Sequence, residues 1–357
     1  MNTKNQNINY TKKIFSPFEV DEKKILDFYS KAFPKRTCRL ENLWKWFYRT
    51  DFFTTKKHPV IAMNDKQEKV VGHMAIIPFW LFLKEKKTLA SWYTDMYVDP
   101  EFRGKGIAKA ITNDLMKLTD IHFGFVGNDQ SMGVFKNFNW IDGYEGYLHH
   151  FTFQPMNYSK FSKYSKKLKW IYYLINFVFK NISRTFYKFK KKDNNTLSIQ
   201  SLDEENIKTF IDVENVENLI KPIRDKEYLH WRFLNSPEKE KYKIFKDNNN
   251  IAALIKERKD KENSWHLDIL LINNFSESNK IISFLAKINL WAEKNNFAYV
   301  RMYVSNKNLS NKIKHNLLSI TRSPRFFYYT KNKSYMDALK KCNFFWQLAD
   351  SDFEIIL

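Results

Sequence analysis

Glycine is scarce in this sequence, and its positions restrict where a phosphate-binding loop can lie. The chain of 357 residues has eight glycines, of which the first is Gly72 and the last is Gly146. A loop that wraps around a diphosphate needs residues without a Cβ atom, because its backbone must approach the phosphate oxygens closely. Any such loop therefore lies in the first half of the chain.

Cysteine is nearly absent, and no metal-ligand pattern is visible. The two cysteines, Cys38 and Cys342, exclude a disulfide framework and suit a reducing compartment. The histidines are scattered, and the adjacent pair His149 and His150 would point to opposite faces of a strand. We therefore expect no metal site and structural roles for both thiols.

Long apolar runs are also missing. The first residues of the sequence lack the apolar core that a signal peptide needs. The apolar segment 170–179 is roughly half as long as a segment that spans a bilayer. We expect a cytoplasmic protein that is not exported and does not cross a membrane.

Acidic residues are in deficit, and the deficit is concentrated in one segment. The net charge is +21, and residues 157–192 contain eleven lysines and arginines without an aspartate or glutamate. Around the apolar segment 170–179, this composition is typical of a helix that lies among anionic lipid headgroups at the inner face of the cell membrane. A helical linker packed on neighbouring domains is the second interpretation. Nucleic-acid binding is the least favoured of the three.

The size of the chain and an internal similarity predict two domains. The segment SWYTDMYV at 91–98 resembles SWHLDILL at 264–271, and two further pairs of segments follow the same order. We predict an α/β (α+β) fold with two tandem domains, each a mixed, mainly antiparallel sheet flanked by helices. The predicted boundaries are 1–156 for the first domain, 157–195 for the basic segment and 196–357 for the second domain.

Local patterns predict the elements of each domain. Strand-like runs cover 58–63, 69–83 with a break near Pro78, 90–98, 122–126, 264–272 and 297–304. Apolar residues at helical spacing run from Ile107 to Leu118 and from Ile281 to Ala292.

The segment VDPEFRGKGIA at 98–108 has the features of a phosphate loop. A strand should end at Val98, and a helix should begin near Ile107 after the two glycines, Gly104 and Gly106. Free amides at the helix start would donate hydrogen bonds to a diphosphate at the positive end of the helix dipole. The segment is neither a Walker loop nor a complete dinucleotide fingerprint.

In this context the loop resembles motif A of the GNAT acyl-CoA N-acyltransferase superfamily. The family signature R/Q-x-x-G-x-G/A corresponds to Arg103, Gly106 and Ala108. The family's N-x-x-A-x-x-x-Y element resembles the segment from Asn128 to Phe135, where phenylalanine replaces the tyrosine that often donates a proton.

The resemblance implies an acyl-CoA thioester, most simply acetyl-CoA, as co-substrate and an amine as acceptor. The residues that it implies for coenzyme A binding are Tyr97, Val98, Arg103, Gly104, Lys105, Gly106, Ile107, Ala108, Asn128 and Phe135. In the second copy, positions 103, 104 and 106 correspond to Ser276, Glu277 and Asn279, so we expect a degenerate GNAT-like domain without coenzyme A. Aromatic elements such as W-x-W-F also resemble acyltransferases of bacterial surface-polysaccharide synthesis, which would make the acceptor an amino sugar.

Acyl transfer to an amine needs a base, because an alkylamine is mostly protonated at neutral pH. Asp95 is the first candidate, because it precedes Val98 on the same strand, and Glu145 is the second. No Ser–His–Asp or Cys–His pattern is apparent, so we expect direct attack rather than an acyl-enzyme. Two alternatives stay open, namely a Fem-type peptidyltransferase that takes an aminoacyl group from tRNA and a non-catalytic GNAT-fold binding protein.

Overall fold

The computed structural model describes residues 14–34, 37–53, 58–64, 66–125, 129–157, 169–191, 197–248, 250–259, 264–275 and 277–351. The chain forms two compact units. The first comprises Met1–Trp80, Lys87–Asp142 and Phe327–Asp337, and the second comprises Leu81–Lys86, Gly143–Phe326 and Ala338–Leu357. The predicted boundaries at 156 and 195 stay predictions, and the two units exchange short segments across them.

The first half of the chain supplies most of one sheet and the helices beside it. The strands are β1 (Ile14–Phe15), β2 (Val60–Met63), β3 (Val70–Leu83), β4 (Lys86–Val98), β5 (Ile121–Phe125), β6 (Ile141–Glu145) and β7 (Tyr147–Thr152). The helices are α1 (Glu22–Ala32), α2 (Thr37–Phe47), α3 (Ile107–Leu115) and α4 (Asp129–Asn137).

The rest of the chain supplies most of the second sheet. This part contains the strands β8 (Ser198–Ser201), β9 (Leu219–Ile220), β10 (Tyr242–Lys246), β11 (Ala252–Lys259), β12 (Trp265–Ile272), β13 (Tyr299–Val304), β14 (Ile320–Arg322), β15 (Arg325–Tyr329) and β16 (Asn343–Phe344). Of these, β15 belongs to the first sheet, and β9 and β16 form a separate two-stranded sheet. The helices of this part are α5 (Lys169–Lys190), α6 (Lys226–Leu229), α7 (Ser278–Lys294), α8 (Lys307–Asn316) and α9 (Lys333–Leu339).

The two large sheets have the same strand order. The first runs β1-β2-β3-β4-β5-β15-β6, and the second, read from β8, runs β8-β10-β11-β12-β13-β7-β14. In each sheet the first five strands follow one another in chain order. The sixth position is taken by a strand from the other half of the chain, β15 in the first sheet and β7 in the second. The last position is taken by β6 in the first sheet and by β14 in the second. Both sheets are mostly antiparallel and are flanked by helices, which confirms the predicted fold class.

The predicted break near Pro78 is wrong. Strand β3 continues from Val70 to Leu83 as one element. A proline removes only one amide donor from a strand, and a strand of this length tolerates that loss. The carbonyl of Pro78 is also occupied, because it accepts a hydrogen bond from Nη1 of Arg49 at 3.4 Å.

Helix α3 packs closely on the first sheet because a glycine faces it. Ile107, Ile111 and Leu115 form its buried face, as the sequence spacing predicts, although the helix ends before Leu118. A Cβ atom at Gly72 would lie 2.7 Å from Cγ2 of Ile107, which is too close for any other residue. Gly72 therefore fixes how near the helix can come to strand β3.

Helix α1 is defined by its cap and by its apolar spacing. The Asp21 carboxylate accepts a hydrogen bond from the amide of Lys23 at 3.0 Å and begins the helix. Ile25, Phe28 and Tyr29 then occupy one face and are buried. This helix contributes side chains to the candidate site.

Candidate functional site

Strands β4 and β5 are parallel neighbours, and their pairing ends before β4 does. In the described residues the register runs from Ala90 with Ile121 to Tyr93 with Gly124. Strand β4 continues to Val98 and leads into the loop before α3. The candidate site lies at this carboxyl end of β4.

Asp95 interrupts the regular alternation of side chains between the two faces of β4. Its φ of 55° lies in the left-handed region, which is rare for a residue other than glycine. Tyr93, Met96 and Val98 all pack in the core cluster that contains Ile107 of α3. A regular strand could not place Tyr93 and Met96 on one face, because side chains alternate with a period of two. The left-handed backbone of Asp95 therefore shifts the alternation of the β4 side chains by one residue.

Asp95 is buried in a hydrogen-bonded group of side chains. Tyr48 donates its hydroxyl proton to Oδ2 of Asp95 at 2.6 Å. The carbonyl of Asp95 accepts from Nδ1 of His73 at 2.9 Å, so a neutral His73 accepts at Nε2 from the Tyr29 hydroxyl at 3.0 Å. The Tyr48 hydroxyl therefore holds the carboxylate in a defined position, and His73 holds the backbone of the same residue.

The loop after β4 is built from two short turns. Asp99 begins a 3-10 turn by accepting a hydrogen bond from the amide of Glu101 at 3.1 Å. Arg103 then donates from Nε to the carbonyl of Val98 at 3.1 Å, and its guanidinium lies 5.9 Å from the ring centre of Tyr97. Arg103 thereby links the end of the strand to the start of the glycine segment.

The two glycines of the loop both require the left-handed backbone region. Gly104 has a φ of 76° and Gly106 a φ of 75°. A Cβ atom at Gly104 would meet nothing within 4 Å, so the backbone angle rather than space requires glycine there. Lys105 between them extends its ammonium to 4.8 Å from the ring centre of Phe102.

The start of helix α3 offers amides that no capping side chain engages. Gly106 is its N-cap residue and has no side-chain oxygen, whereas Asp21 and Asn306 cap α1 and α8 with hydrogen bonds. The first amides of any helix lack acceptors within the helix, and the helix dipole makes this end positive. An anionic group fits there, and the nearby cations of Arg103 and Lys105 favour it further.

A cavity of about 300 Å³ lies beside the end of β4. Its lining residues are Lys24, Asp27, Phe28, Lys31, Glu68, Lys69, Val70, Tyr97, Asp99 and Pro100. The centres of the Tyr97 and Phe28 rings are 5.7 Å apart, and the rings are inclined at 76°, so the two form an aromatic part of the cavity wall. The other lining residues include both lysines and carboxylates. Such a cavity suits a polar molecule with an apolar face.

The structure brings most of the predicted site residues together. Residues 97, 98 and 103–108 lie at the end of β4, in the loop after it and at the start of α3, and Asp95 precedes them on β4. Phe135 is a core residue, because its ring stacks on Trp140 at 4.4 Å and lies directly over Gly124. Asn128 and the side chain of Glu145 lie outside the described residues, so their roles stay predictions.

Sequence reasoning missed the partners of Asp95. Tyr48 and His73 are far from Asp95 along the chain, and only the packing of α2 and β3 against β4 brings them near. The cavity residues on α1 were missed for the same reason. The sole sequence signal was the W-x-W-F segment, which ends one residue before Tyr48.

The second sheet differs from the first at the corresponding strand ends. Gln347 binds Ile272 at the end of β12 through two hydrogen bonds of 2.6 and 3.1 Å. The same residue forms a bridge to Val304 at the end of β13. Glu277 is the N-cap residue of α7, and its carboxylate pairs with Lys280 at 2.7 Å. The chain itself therefore occupies the space between these two parallel strands.

No group of three or more histidine, cysteine, aspartate or glutamate residues within the described ranges could hold a metal ion. Cys342 is buried and free.

Comparison with known proteins finds a family match in the first half of the chain. Residues 22–139 match the family model of the Acetyltransferase (GNAT) family. This part of the chain is similar to GNAT-family domains. The match includes β4, the glycine loop and α3, and it ends just after Phe135 and α4. No curated protein sequence matches the chain.

Solved structures share the fold over most of the chain. A protein of unknown function from Enterococcus faecalis, described as a probable N-acyltransferase, has a TM-score of 0.56 and 11% identity over 90% of this chain and 73% of that chain. A GCN5-related N-acetyltransferase from Anabaena variabilis has a TM-score of 0.57 and 11% identity over 90% of this chain and 74% of that chain. Yeast N-myristoyltransferase (Saccharomyces cerevisiae) with bound myristoylCoA has a TM-score of 0.51 and 11% identity over 81% of this chain and 73% of that chain. At these identities the likeness shows the fold alone. The likeness extends beyond residues 22–139, which the family model matches.

Proposed function

We propose that this protein transfers an acyl group, most simply acetyl, from an acyl-CoA to an amine by direct attack. The observation that carries the proposal is the glycine loop at the start of α3. Two left-handed glycines, an uncapped helix terminus and two nearby cations follow the carboxyl end of β4 within the residues that match the GNAT family. Binding of a diphosphate explains why these features occur together.

Coenzyme A is held, in this proposal, by the loop and by the end of β4. Amides of residues 104–108 donate to the diphosphate, and Arg103 and Lys105 supply positive charge. Backbone groups of Tyr97 and Val98 hold the pantetheine arm, with the predicted contact of Asn128 further along it, whereas the buried Phe135 supports this region from the core. The thioester supplies the acyl carbonyl. In the second unit Gln347 fills the corresponding space, which supports the expectation that only the first unit binds coenzyme A.

The acceptor amine is placed in the cavity beside Tyr97. Its aromatic wall suits the apolar face of a sugar ring, and the carboxylates of Asp27, Glu68 and Asp99 suit amino and hydroxyl groups. An amino sugar of a surface-polysaccharide precursor is therefore the specific acceptor that we propose. A panel of nucleotide-linked amino sugars, compared with peptides that carry a free amino terminus, tests this choice.

Asp95 is the proposed base. It precedes Tyr97 by two residues on β4, and the Tyr48 hydroxyl fixes the orientation of its carboxylate. It accepts the amine proton directly or through a water molecule, so that the neutral amine attacks the carbonyl. The tetrahedral adduct then breaks its C–S bond, the amide forms, and the coenzyme A thiolate leaves and takes up the proton that the nitrogen loses. A backbone amide near Val98 stabilises the oxyanion.

The decisive test is coenzyme A binding by Gly106 variants. We expect Gly106→Glu to abolish acetyl-CoA binding in calorimetry, because a carboxylate would lie where the diphosphate belongs. Gly106→Asn is the matched control, since asparagine tolerates the left-handed region and adds bulk without charge. It should weaken binding far less than Gly106→Glu does.

A second control lies in the other unit. Glu277→Gly removes the carboxylate at the corresponding helix start and should leave the affinity unchanged. If folded Gly106→Glu binds acetyl-CoA as the wild type does, the coenzyme A assignment is wrong. That result would favour a tRNA-dependent enzyme or a binding protein instead.

A further inference from the structure

Helix α5 carries an apolar stripe on the side that faces solvent. Large apolar side chains at spacings of three and four residues form it: Trp170, Tyr173, Leu174, Phe177 and Val178. Their exposure is high, with 68% for Trp170, 75% for Tyr173 and 66% for Phe177. In an ordinary surface helix a stripe with this spacing faces the core.

The opposite side of α5 is fixed to its own unit by partly polar contacts. Tyr172, Ser183 and Tyr187 are buried, and the Tyr187 hydroxyl donates to the carbonyl of Leu318 at 2.9 Å. Arg184 forms a two-bond ion pair with Glu293 of α7 at 2.9 and 2.7 Å. The orientation of the helix is therefore held by specific contacts, and the apolar stripe is a stable surface feature.

The positive charge of the segment that contains the stripe indicates which kind of partner binds there. Between residues 157 and 192 there are eleven cationic residues and no acidic one. Toward the carboxyl end, the exposed side carries the apolar residues Ile182 (54% exposed) and Phe189 (86% exposed) together with Thr185 and Lys188. The exposed face therefore combines aromatic and aliphatic side chains with polar and cationic ones.

We propose that this face of α5 docks on an anionic lipid membrane. Tryptophan, tyrosine and phenylalanine insert into the headgroup boundary, and exposed lysines such as Lys188 neutralise lipid phosphates. No helix within the described ranges is long and apolar enough to cross a bilayer, so the contact is peripheral. The proposal is independent of acyl transfer and would place the enzyme next to lipid-linked acceptors.

Other occupants fit the face less well. Two copies that met through this helix would bring two cationic segments together without any acidic residue of the segment between them, and like charges repel. RNA phosphates would bind the cations but would leave Leu174 and Val178 uncovered. An anionic membrane can cover the apolar side chains and neutralise the cationic ones at the same time.

Vesicle flotation of the full-length protein tests the proposal. Vesicles of phosphatidylcholine with about one third phosphatidylglycerol are compared with pure phosphatidylcholine, at about 0.1 M and about 1 M salt. We expect co-flotation with the anionic vesicles at low salt and partial retention at high salt, because salt screens the charges but not the inserted aromatic rings.

Matched variants separate insertion from simple charge attraction. The double variant Trp170→Ser/Phe177→Ser should lower the partition coefficient at least tenfold, because two large side chains no longer insert. Ile320→Ser is the control, since Ile320 is 63% exposed but lies on β14, and it should float like the wild type. Acetyl-CoA binding should be the same in all three proteins.

Several outcomes would overturn the proposal. Absence of co-flotation with anionic vesicles at low salt is one, and equal flotation of the double variant is another. A dimer that light scattering detects in the wild type but not in the double variant, without vesicle binding, would identify a second copy as the occupant. Salt-sensitive RNA binding that does not need Trp170, again without vesicle binding, would identify nucleic acid.

Discussion

At the scale of single residues, Asp95 at the end of β4 combines a left-handed backbone with a buried, hydrogen-bonded carboxylate. Its φ is 55°, and its carboxylate accepts a hydrogen bond from the Tyr48 hydroxyl. A backbone in this region costs energy unless surrounding contacts hold it, and such residues occur often at functional sites. The hydrogen bond from His73 to the Asp95 carbonyl is one such contact.

Replacement of Asp95 by asparagine should lower turnover by roughly 10²–10⁴. Asparagine keeps the left-handed backbone and the size of the side chain, so the loss reports on the carboxylate. The loss should shrink at high pH, where more of the amine acceptor is already neutral. The measurement is kcat with acetyl-CoA and an amino-sugar acceptor between pH 7 and about 9.5.

Tyr48→Phe serves as the comparison for this variant. It keeps the Asp95 carboxylate but removes one hydrogen bond to it, so we expect a smaller loss of kcat than in Asp95→Asn. If Asp95→Asn has the kcat of the wild type at pH 7, the base is Glu145 or a water molecule instead.

At the scale of elements, the segment after α9 connects the ends of two strands in the second sheet. Gln347 bridges the ends of β12 and β13, and Trp346 beside it is fully buried. Arg224 holds the same segment through hydrogen bonds from two guanidinium nitrogens to the buried carboxylate of Asp350. This pair therefore fixes the closing segment in place.

We expect Asp350→Asn to lower the free energy of unfolding by about 3 kcal/mol, measured by urea denaturation. The variant leaves the buried Arg224 without its principal counter-charge, and breaking a buried ion pair costs about that much. Glu277→Gln is the control, because it breaks an exposed ion pair with Lys280 and should change stability by less than about 1 kcal/mol. Equal effects of the two variants would show that Arg224 and Asp350 do not hold the segment.

At the scale of the whole molecule, burial lowers the pKa of five histidines in the described part of the chain. Burial is the main cause that lowers their pKa values, to about 3 for His58, His122 and His150 and to about 4 for His149 and His266. In an unfolded chain each histidine takes up a proton near pH 6.5. The unfolded state therefore binds more protons than the folded state between pH 6.5 and about 4.

Stability should consequently fall as the pH falls below about 6.5. Each of these histidines contributes a slope of up to about 1.4 kcal/mol per pH unit in this window. Urea denaturation at several pH values between about 7.5 and 5 measures the total slope. His149→Gln should reduce the slope by the share of one histidine, and a free energy of unfolding that is constant over this range would contradict the prediction.

The pattern of the chain predicted several local features of the site. Residues 98–108 show a strand end, two glycines and a helix start, and the structure has all three in that order. The repeat of Ile107, Ile111 and Leu115 predicted the buried face of α3. Such features depend on neighbours in the sequence, because backbone angles and helical spacing are local properties.

The surroundings of Asp95 could not be predicted in the same way. Nothing in the segment 91–98 indicates that its residue 95 adopts a positive φ or that Tyr48 reaches it. Both follow from how α2 and β3 pack on β4, and that packing joins residues that are distant along the chain.

The sequence by itself determined the position of the glycine loop, the phase of the helices and the excess of positive charge, since each depends on residue type and spacing alone. The tertiary structure decided which strands complete each sheet, that Gln347 closes the second sheet, and that the apolar stripe of α5 faces outward. Periodicity shows that one face of a helix is apolar, but only long-range packing decides whether that face meets the core or the solvent.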